Sequence, residues 1–487
     1  MRRIAAWLGL ALAFLVALLV VRTLRPGTAQ EPAEAVASLE LPRQALAERL
    51  SRAIQVVTIS RGDGAPADLG ALRELHRRLE KSFPRLHAAL SREVVAGGSL
   101  LYRWPGSEPG APPILLMGHL DVVPVEPGTE GRWTHPPFAG VVDERFVWGR
   151  GAIDDKVSVL GICEAVEVLL RDGFAPRRTV YLAFGHDEEV GGAEGAGAIA
   201  RLLAERGVRV AYSIDEGMGI VARGLVPAVP ADVALIGLAE KGYLSVEVVA
   251  AASGGHSSTP PRETAIGRLA RALARLEAAP QPEAIRGPVA AMFDRVAGES
   301  TFGMRLVLRN RWLFDPLIRA VLRREPAQAA MLHTTTAPTL LRAGVKDNVL
   351  PSEARAVVNF RILPGDSVEG VIAHARRALG DPGLELRVLD AREASPTADP
   401  DSESYRALAR TIRQVFPGTV VAPALVLGGT DSKHYQQVAE QSFRFMPLRL
   451  APDDLKRIHG TDERIEIDAY LDVVRFFAQL LRNTAGG

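Results

Sequence analysis

Apolar residues along this chain fall into three patterns, and each predicts a different element. The first is an unbroken run over residues 4–21 that contains no charge. At a helical rise of about 1.5 Å per residue it reaches about 27 Å, close to the roughly 30 Å hydrocarbon core of a bilayer. The second is a set of short apolar stretches at 114–117, 179–184, 210–214 and 419–427. These read as strands with both faces buried. The third is a 3.6-residue recurrence over 45–57, 69–83, 157–170, 195–205 and 405–415, which predicts amphipathic helices. Strands alternating with helices imply βαβ units and a mixed, mostly parallel sheet. In such sheets ligands bind beyond the carboxyl ends of the strands.

The pattern changes after residue 243. Residues 245–251 alternate as a half-buried strand does, 264–276 read as a helix, 354–362 as a strand, 368–379 as a helix and 384–389 as a strand. This order of strands and helices predicts an α+β sandwich inserted into the first domain. The stretch 281–335, with apolar helical segments and several prolines, reads as an elaboration of that insert. The expected organisation is an N-terminal apolar helix over 1–24, a Pro/Ala/Glu-rich linker over 25–43, and a catalytic α/β domain over 44–243. An inserted lid follows over 244–392, and the catalytic domain is completed by 393–487.

Composition narrows the function classes. Of 487 residues, 47% are hydrophobic, enough for sizeable cores, and the length calls for two or more domains. Lys plus Arg number 58 and Asp plus Glu 57, and no Lys/Arg-rich block stands out, so no nucleic-acid partner is expected. Cys163 is the only cysteine, which excludes an internal disulfide and a cysteine zinc cluster. Any metal must be held by His, Asp and Glu. The 4–21 run reads as a membrane anchor, with the catalytic part outside the cytoplasm. The small residues Gly27-Thr28-Ala29 would permit cleavage and secretion instead. Arg2 and Arg3 balance Arg22 and Arg25 across the run, so flanking charge says little about orientation.

Two short motifs read as halves of one metal site: Gly118-His119-Leu120-Asp121-Val122-Val123-Pro124 and Gly149-Arg150-Gly151-Ala152-Ile153-Asp154-Asp155-Lys156. Glu188-Glu189, Asp215 and His459 follow, each after an apolar run. Imidazole and carboxylate together suit a borderline cation such as zinc, and an adjacent carboxylate can fix the ring tautomer. Singly, a His-x-Asp, an Asp-Asp-Lys or a Glu-Glu pair is ordinary solvated surface. Their ordered recurrence after strand-like runs points to one site. His186 and His434 read as structural, and His76, His87, His135, His333 and His374 as surface or packing residues. Trp133 and Trp148 read as core.

With these motifs the sequence resembles the M20 metallopeptidases. Asp187-Glu188-Glu189, Asp215-Glu216-Gly217, Gly255-His256-Ser257-Ser258 and His459-Gly460-Thr461-Asp462-Glu463 match as well. The N-terminal apolar segment and long insert resemble the branch of carboxypeptidase S and the PM20D1-type N-acyl amino acid hydrolases. The resemblance implies two zinc ions, replaceable by cobalt or manganese. Asp154 would bridge them, His119 and Asp215 would complete one site, and Glu189 and His459 the other. Asp121 would orient His119, and Glu188 would be the general base. His256 would polarise the scissile carbonyl. Asn348 and Arg361 would contact substrate, Arg361 as a bidentate carboxylate clamp. Read from the residues themselves, Gly428-Gly429-Thr430 either offers the Gly429 and Thr430 backbone N–H groups to the substrate or forms a simple strand-end turn. Dimeric relatives pass the insert histidine to a partner's site, which makes a homodimer through the lid one expectation.

The implied reaction is hydrolysis of an amide or peptide bond next to a free carboxylate, in a small peptide or an N-acyl amino acid. Two other readings stay open: a deacylase for small polar acyl groups, and a non-catalytic binding protein of the same fold. The membrane segment argues against the first, and the retained Glu188 against the second.

Overall fold

In the computed structural model, residues 2–486 are described except 28, 29 and 63 and 227. The chain forms a mixed α/β structure around a ten-stranded sheet, with a separate four-stranded sheet formed by later segments. In the centre of the large sheet, Val180–Gly185, Ile114–His119, Val210–Asp215 and Ala439–Arg444 lie side by side and parallel. Their sequences are nearly continuous apolar runs because helices cover both faces. All six residues of Ile114–His119 and all six of Val180–Gly185 are buried.

The helices Lys156–Arg171 and Ile467–Ala485 pack together under this sheet. Gly161 permits their close approach: a Cβ there would stand 2.5 Å from a Val473 methyl. The principal core joins these helices to Arg43–Ile54, Glu403–Val415 and the buried face of the sheet.

The four-stranded sheet is wholly antiparallel, ordered Thr335–Ala343, Glu353–Ile362, Gly242–Ala251, Leu384–Arg392. Alternation along Glu353–Ile362 turns Ala354, Ala356, Val358, Phe360 and Ile362 onto the helices Ala265–Ala278 and Val368–Leu379. This second core is distinct from the first. The strand Thr335–Ala343 begins where the proline-containing stretch 281–335 ends; its outer half is exposed and lacks the alternation that marks its neighbour.

The stretch 281–335 departs from expectation. Its helices Gly287–Glu299, Phe302–Arg309 and Arg311–Leu322 do not elaborate the four-stranded sheet. Val296, Ala297, Leu308 and Ile318 pack instead on Val233, Val420 and Ala422 of the large sheet. The apolar side of Val420–Val426, which pairs parallel with Val233–Glu240, needs this cover.

The N-terminal segment is a helix, Arg2–Leu24, and within it 3–24 is long and apolar enough to cross a membrane, at a mean hydropathy of 2.8. Within 3–24 only Thr23, near the C-terminal end of the helix, is buried. Residues 28 and 29 of the cleavage motif lie outside the described residues. The linker is irregular yet docked: the Gln30 amide exchanges two hydrogen bonds with the Val421 backbone, and Leu39 and Leu41 pack on the principal core.

Candidate metal centre and active site

Three neighbouring parallel strands end at the same edge, and this places the site. Ile114–His119 ends in His119, Val180–Gly185 leads to the turn Glu188–Val190, and Val210–Asp215 leads to Glu216. The loop before the helix Lys156–Arg171 brings Asp154 over that edge, and the loop before Arg464–Glu466 brings His459.

The side chains form two groups that share one carboxylate. His119 Nε2 lies 3.0 Å from Asp154 Oδ1 and 3.6 Å from Glu216 Oε1. His459 Nε2 lies 3.0 Å from Asp154 Oδ2 and 3.1 Å from Glu189 Oε2. The Asp154 oxygens are thus divided between the groups His119–Asp154–Glu216 and Asp154–Glu189–His459.

Asp215 is not part of either group, which corrects the expectation from sequence. Its Oδ2 accepts hydrogen bonds from the Ser432 backbone N–H at 2.7 Å and the Ser432 hydroxyl at 3.0 Å. Successive residues at a strand end point to opposite sides, so when Asp215 turns to Ser432, Glu216 turns to His119. The signal was present in the Asp-Glu pair, but residue type alone does not say which member faces the site.

Asp121 does more than orient His119. Its backbone oxygen meets His119 Nδ1 at 3.0 Å, which leaves Nε2 facing Asp154. Its carboxylate accepts the backbone N–H groups of Glu188 and Glu189, both at 3.1 Å, and so fixes the turn that presents those two side chains. Gly118 keeps the neighbouring space open. A Cβ there would stand 2.9 Å from the Asp155 carboxylate, which accepts the His119 backbone N–H.

Arg150 and Glu463 form a buried pair that the motifs alone do not announce. The guanidinium Nη1 lies 2.5 Å from Glu463 Oε2, and Nη2 donates to the carbonyls of His459 and Gly460. Glu463 Oε1 accepts from the backbone N–H groups of Ile153 and Asp154. One ion pair therefore ties the Asp154 loop to the His459 loop. Arg150→Met should strand the Glu463 carboxylate in an apolar interior and cost about 3–5 kcal/mol. Urea unfolding of the two proteins checks this; a loss below about 1 kcal/mol would show that the pair is dispensable.

The charge balance favours cations. Burial opposes ionisation of Asp154, but hydrogen bonds from His119 and His459 overcome it and hold its carboxyl below the usual range. The His459 imidazole is pushed up to about 10, first by Asp154 and then by Glu189. His119 is raised well above the ordinary value: burial opposes its charge, and Asp121 and Asp154 prevail. Burial drives the Glu216 carboxyl up, and the nearby Asp154 charge adds to this. Glu189 Oε1 is buried with no hydrogen-bond partner among the described residues. Three carboxylates, Asp154, Glu189 and Glu216, and two imidazoles, His119 and His459, brought within ligating reach of one another have the donor set and the charge for two divalent cations. Half of the His459 side chain is exposed, against 5% for Glu189, so the centre opens on the His459 side.

Glu188 stands beside these groups and belongs to neither. The Lys433 Nζ lies 4.0 Å from its Oε1. Burial pushes the carboxyl up to about 7, while His119 and Lys433 pull it down.

The remaining candidates divide. His256 and Asn348 come together on one small ladder: His256 pairs with Val349, and the Ser257 N–H donates to the Asn348 carbonyl. Both are exposed, and no contact among the described residues joins them to the two carboxylate–imidazole groups. The Ser258 N–H donates to His256 Nδ1, which leaves the ring proton on Nε2. The Arg361 guanidinium sits over the Tyr243 ring at 4.9 Å and makes no ion pair among the described residues. Gly429 lies against the Arg392 guanidinium. Thr430 is a correction: its N–H and hydroxyl both donate to buried Glu240, so neither is available to a substrate.

The other histidines serve packing. His186 bonds Ser99, His434 the Gly191 carbonyl, His76 the Gly98 carbonyl and His374 the Ala279 carbonyl. His87 bridges Phe83 and Tyr102, and His135 packs edge-on against Trp148.

A sequence model of peptidase family M20/M25/M40 matches residues 115–483. The chain is 40% identical over 443 residues to the probable carboxypeptidase S-like 2 of Dictyostelium discoideum, covering 90% of this chain and 85% of that protein. It is 37% identical over 490 residues to an N-fatty-acyl-amino acid synthase/hydrolase of Xenopus tropicalis, covering 99% and 94%. Its fold superposes on an M20 family metallo-carboxypeptidase from Sulfolobus solfataricus with a TM-score of 0.65, at 18% identity, over 91% of this chain and 99% of that one. The matched segment contains both carboxylate–imidazole groups and the strand edge that carries them. The chain thus belongs to peptidase family M20/M25/M40 and is a metal-dependent hydrolase.

Proposed function

We propose that the chain is a two-zinc hydrolase of an amide bond adjacent to a free carboxylate, acting on N-acyl amino acids or small peptides. The observation that carries this reading is the division of the Asp154 oxygens, each 3.0 Å from a different imidazole. His119 and Glu216 would hold one cation with Asp154, and His459 and Glu189 the other; Glu216 replaces Asp215 in this assignment. Such a pair, when bound, supplies Lewis acidity that polarises the amide carbonyl and lowers the pKa of the attacking water.

The chain's own residues supply the rest. Glu188 takes the proton of the attacking water and returns it to the leaving amine. Asp121 holds the Glu188-Glu189 turn and the His119 ring while this happens. His256, with its proton on Nε2, donates to the carbonyl oxygen as charge develops there. Asn348, on the same small ladder, contacts the substrate beside it. Closure of the insert over the substrate would bring these residues to the centre and exclude water.

The N-terminal helix anchors the enzyme in a membrane with the hydrolase part outside the cytoplasm; cleavage after it would release a secreted form. A homodimer through the insert is compatible with the exposed outer half of Thr335–Ala343. The relatives named for N-fatty-acyl amino acids and for carboxypeptidase activity define the substrates to test. Turnover of zinc-loaded protein on N-fatty-acyl amino acids and on Gly-X dipeptides decides between them. No turnover on either, at full metal content, would sink the proposal.

Arg361 is assigned to the substrate carboxylate because its guanidinium is stacked and has no carboxylate partner among the described residues. Arg361→Ala should raise KM strongly for substrates with a free carboxylate and little for the matched amides, which carry no charge to clamp. Equal losses on both would make Arg361 structural.

A further inference from the structure

The helix Arg311–Leu322 is apolar on two sides, and only one of them is used by the core. Ile318, with Phe314 and Leu322, packs inward on the cluster beneath the large sheet. Trp312, Leu313, Leu317 and Val321 face outward, and Trp312 and Leu317 are 53% and 54% exposed. Their spacing, i, i+1, i+5 and i+9, is that of a continuous helical stripe. Phe302, on the preceding helix Phe302–Arg309, is exposed as well. A patch of this kind on a folded chain marks a surface with a partner.

The neighbouring N-terminal helix indicates the partner. The buried Asn310 side chain, at the junction of the two short helices, donates to the Leu19 carbonyl and the Thr23 hydroxyl. The Arg309 guanidinium lies against Gly27. The apolar helix Arg2–Leu24, buried only at Thr23 near its C-terminal end, therefore leaves the body of the protein at the start of the exposed stripe. Residues 302–325 also carry six arginines (305, 309, 311, 319, 323 and 324); Arg311, Arg319 and Arg323 are paired with Asp294, Asp315 and Glu283, whereas Arg309 and Arg324 have no carboxylate partner among the described residues. Spread along the helices, these charges do not form a run in the sequence.

We infer that Phe302–Arg309 and Arg311–Leu322 form a second membrane contact, lying in the interface of a bilayer rich in anionic lipid. The outward stripe inserts among the acyl chains, and Arg309 and Arg324, which have no carboxylate partner among the described residues, meet the headgroups. An apolar face flanked by basic residues and carrying a tryptophan is the signature of an interfacial helix. The inference rests on the reading of Arg2–Leu24 as an anchor and goes beyond it, because it fixes the hydrolase flat on the membrane.

The test uses the full chain in nanodiscs of phosphatidylcholine and phosphatidylglycerol. Single cysteines at Leu12→Cys, Leu317→Cys or Val345→Cys carry an environment-sensitive fluorophore, and the native Cys163 is buried. Leu12 lies in the N-terminal helix, and Val345 is 95% exposed in the insert. With doxyl-labelled lipids, the labels at 12 and 317 should lose most of their fluorescence and the label at 345 almost none. Quenching at 12 but not at 317 overturns the surface and leaves the anchor standing. Quenching at neither overturns both. A label at 317 that is shielded from water, unquenched by lipid and cross-linked between copies assigns the stripe to a second copy of the chain and overturns the lipid assignment.

Discussion

Glu188→Gln is expected to retain both cations and to lose about 10²–10⁴-fold in turnover, the usual contribution of a positioned general base. Retention follows from geometry, because Glu188 contributes no oxygen to either group. Loss follows from chemistry, since an amide cannot accept the proton of the attacking water. The change is nearly isosteric, and burial already pushes the Glu188 carboxyl toward its neutral form, so little stability should be at stake. The backbone N–H of residue 188 donates to Asp121 whatever its side chain, so the turn should hold and keep Glu189 at its post. Metal counting and steady-state kinetics on the same preparation check both halves. Unchanged turnover at unchanged metal content would remove Glu188 from the reaction.

The structure also shows which parts of this site the sequence could announce. His119, Glu188 and Glu189 were legible because each follows a buried parallel strand, and three adjacent strands of such a sheet must end at one edge. Asp154 and His459 lie in loops, and only the recurrence of whole motifs pointed to them. Glu216 was obscured by Asp215, since choosing between neighbours requires knowing which side of the strand end faces the site. Arg150 and Glu463 were hidden because an ion pair separated by more than three hundred residues leaves no local pattern. The placement of 281–335 failed for a related reason. Amphipathic helices announce that they will pack, but not on which sheet, and here the large sheet had the uncovered strand. Thr430 shows the opposite error: a Gly-Gly-Thr turn advertises free N–H groups, and buried Glu240 takes the one that matters.

Asp154→Ala is expected to empty both metal sites, whereas His119→Ala and His459→Ala should each weaken mainly one. A single carboxylate reaches both imidazoles with different oxygens, so its removal takes a donor from each group at once. The loss should exceed about 100-fold in affinity at both sites, because even partners outside the ligand set typically cost 10–100-fold. Two uncompensated carboxylates, Glu189 and Glu216, would remain, but each would share a cation with one imidazole only. Asp154→Asn separates charge from shape. It keeps one oxygen and places an amide nitrogen where the other stood, so one group retains a ligand and the second receives a donor that repels a cation. Metal content after dialysis should therefore fall from two toward none in the alanine variant and toward one in the asparagine variant. Circular dichroism shows whether the fold survives in each. Two cations retained by folded Asp154→Ala would end the bridging assignment, and with it the reading of the two groups as one centre.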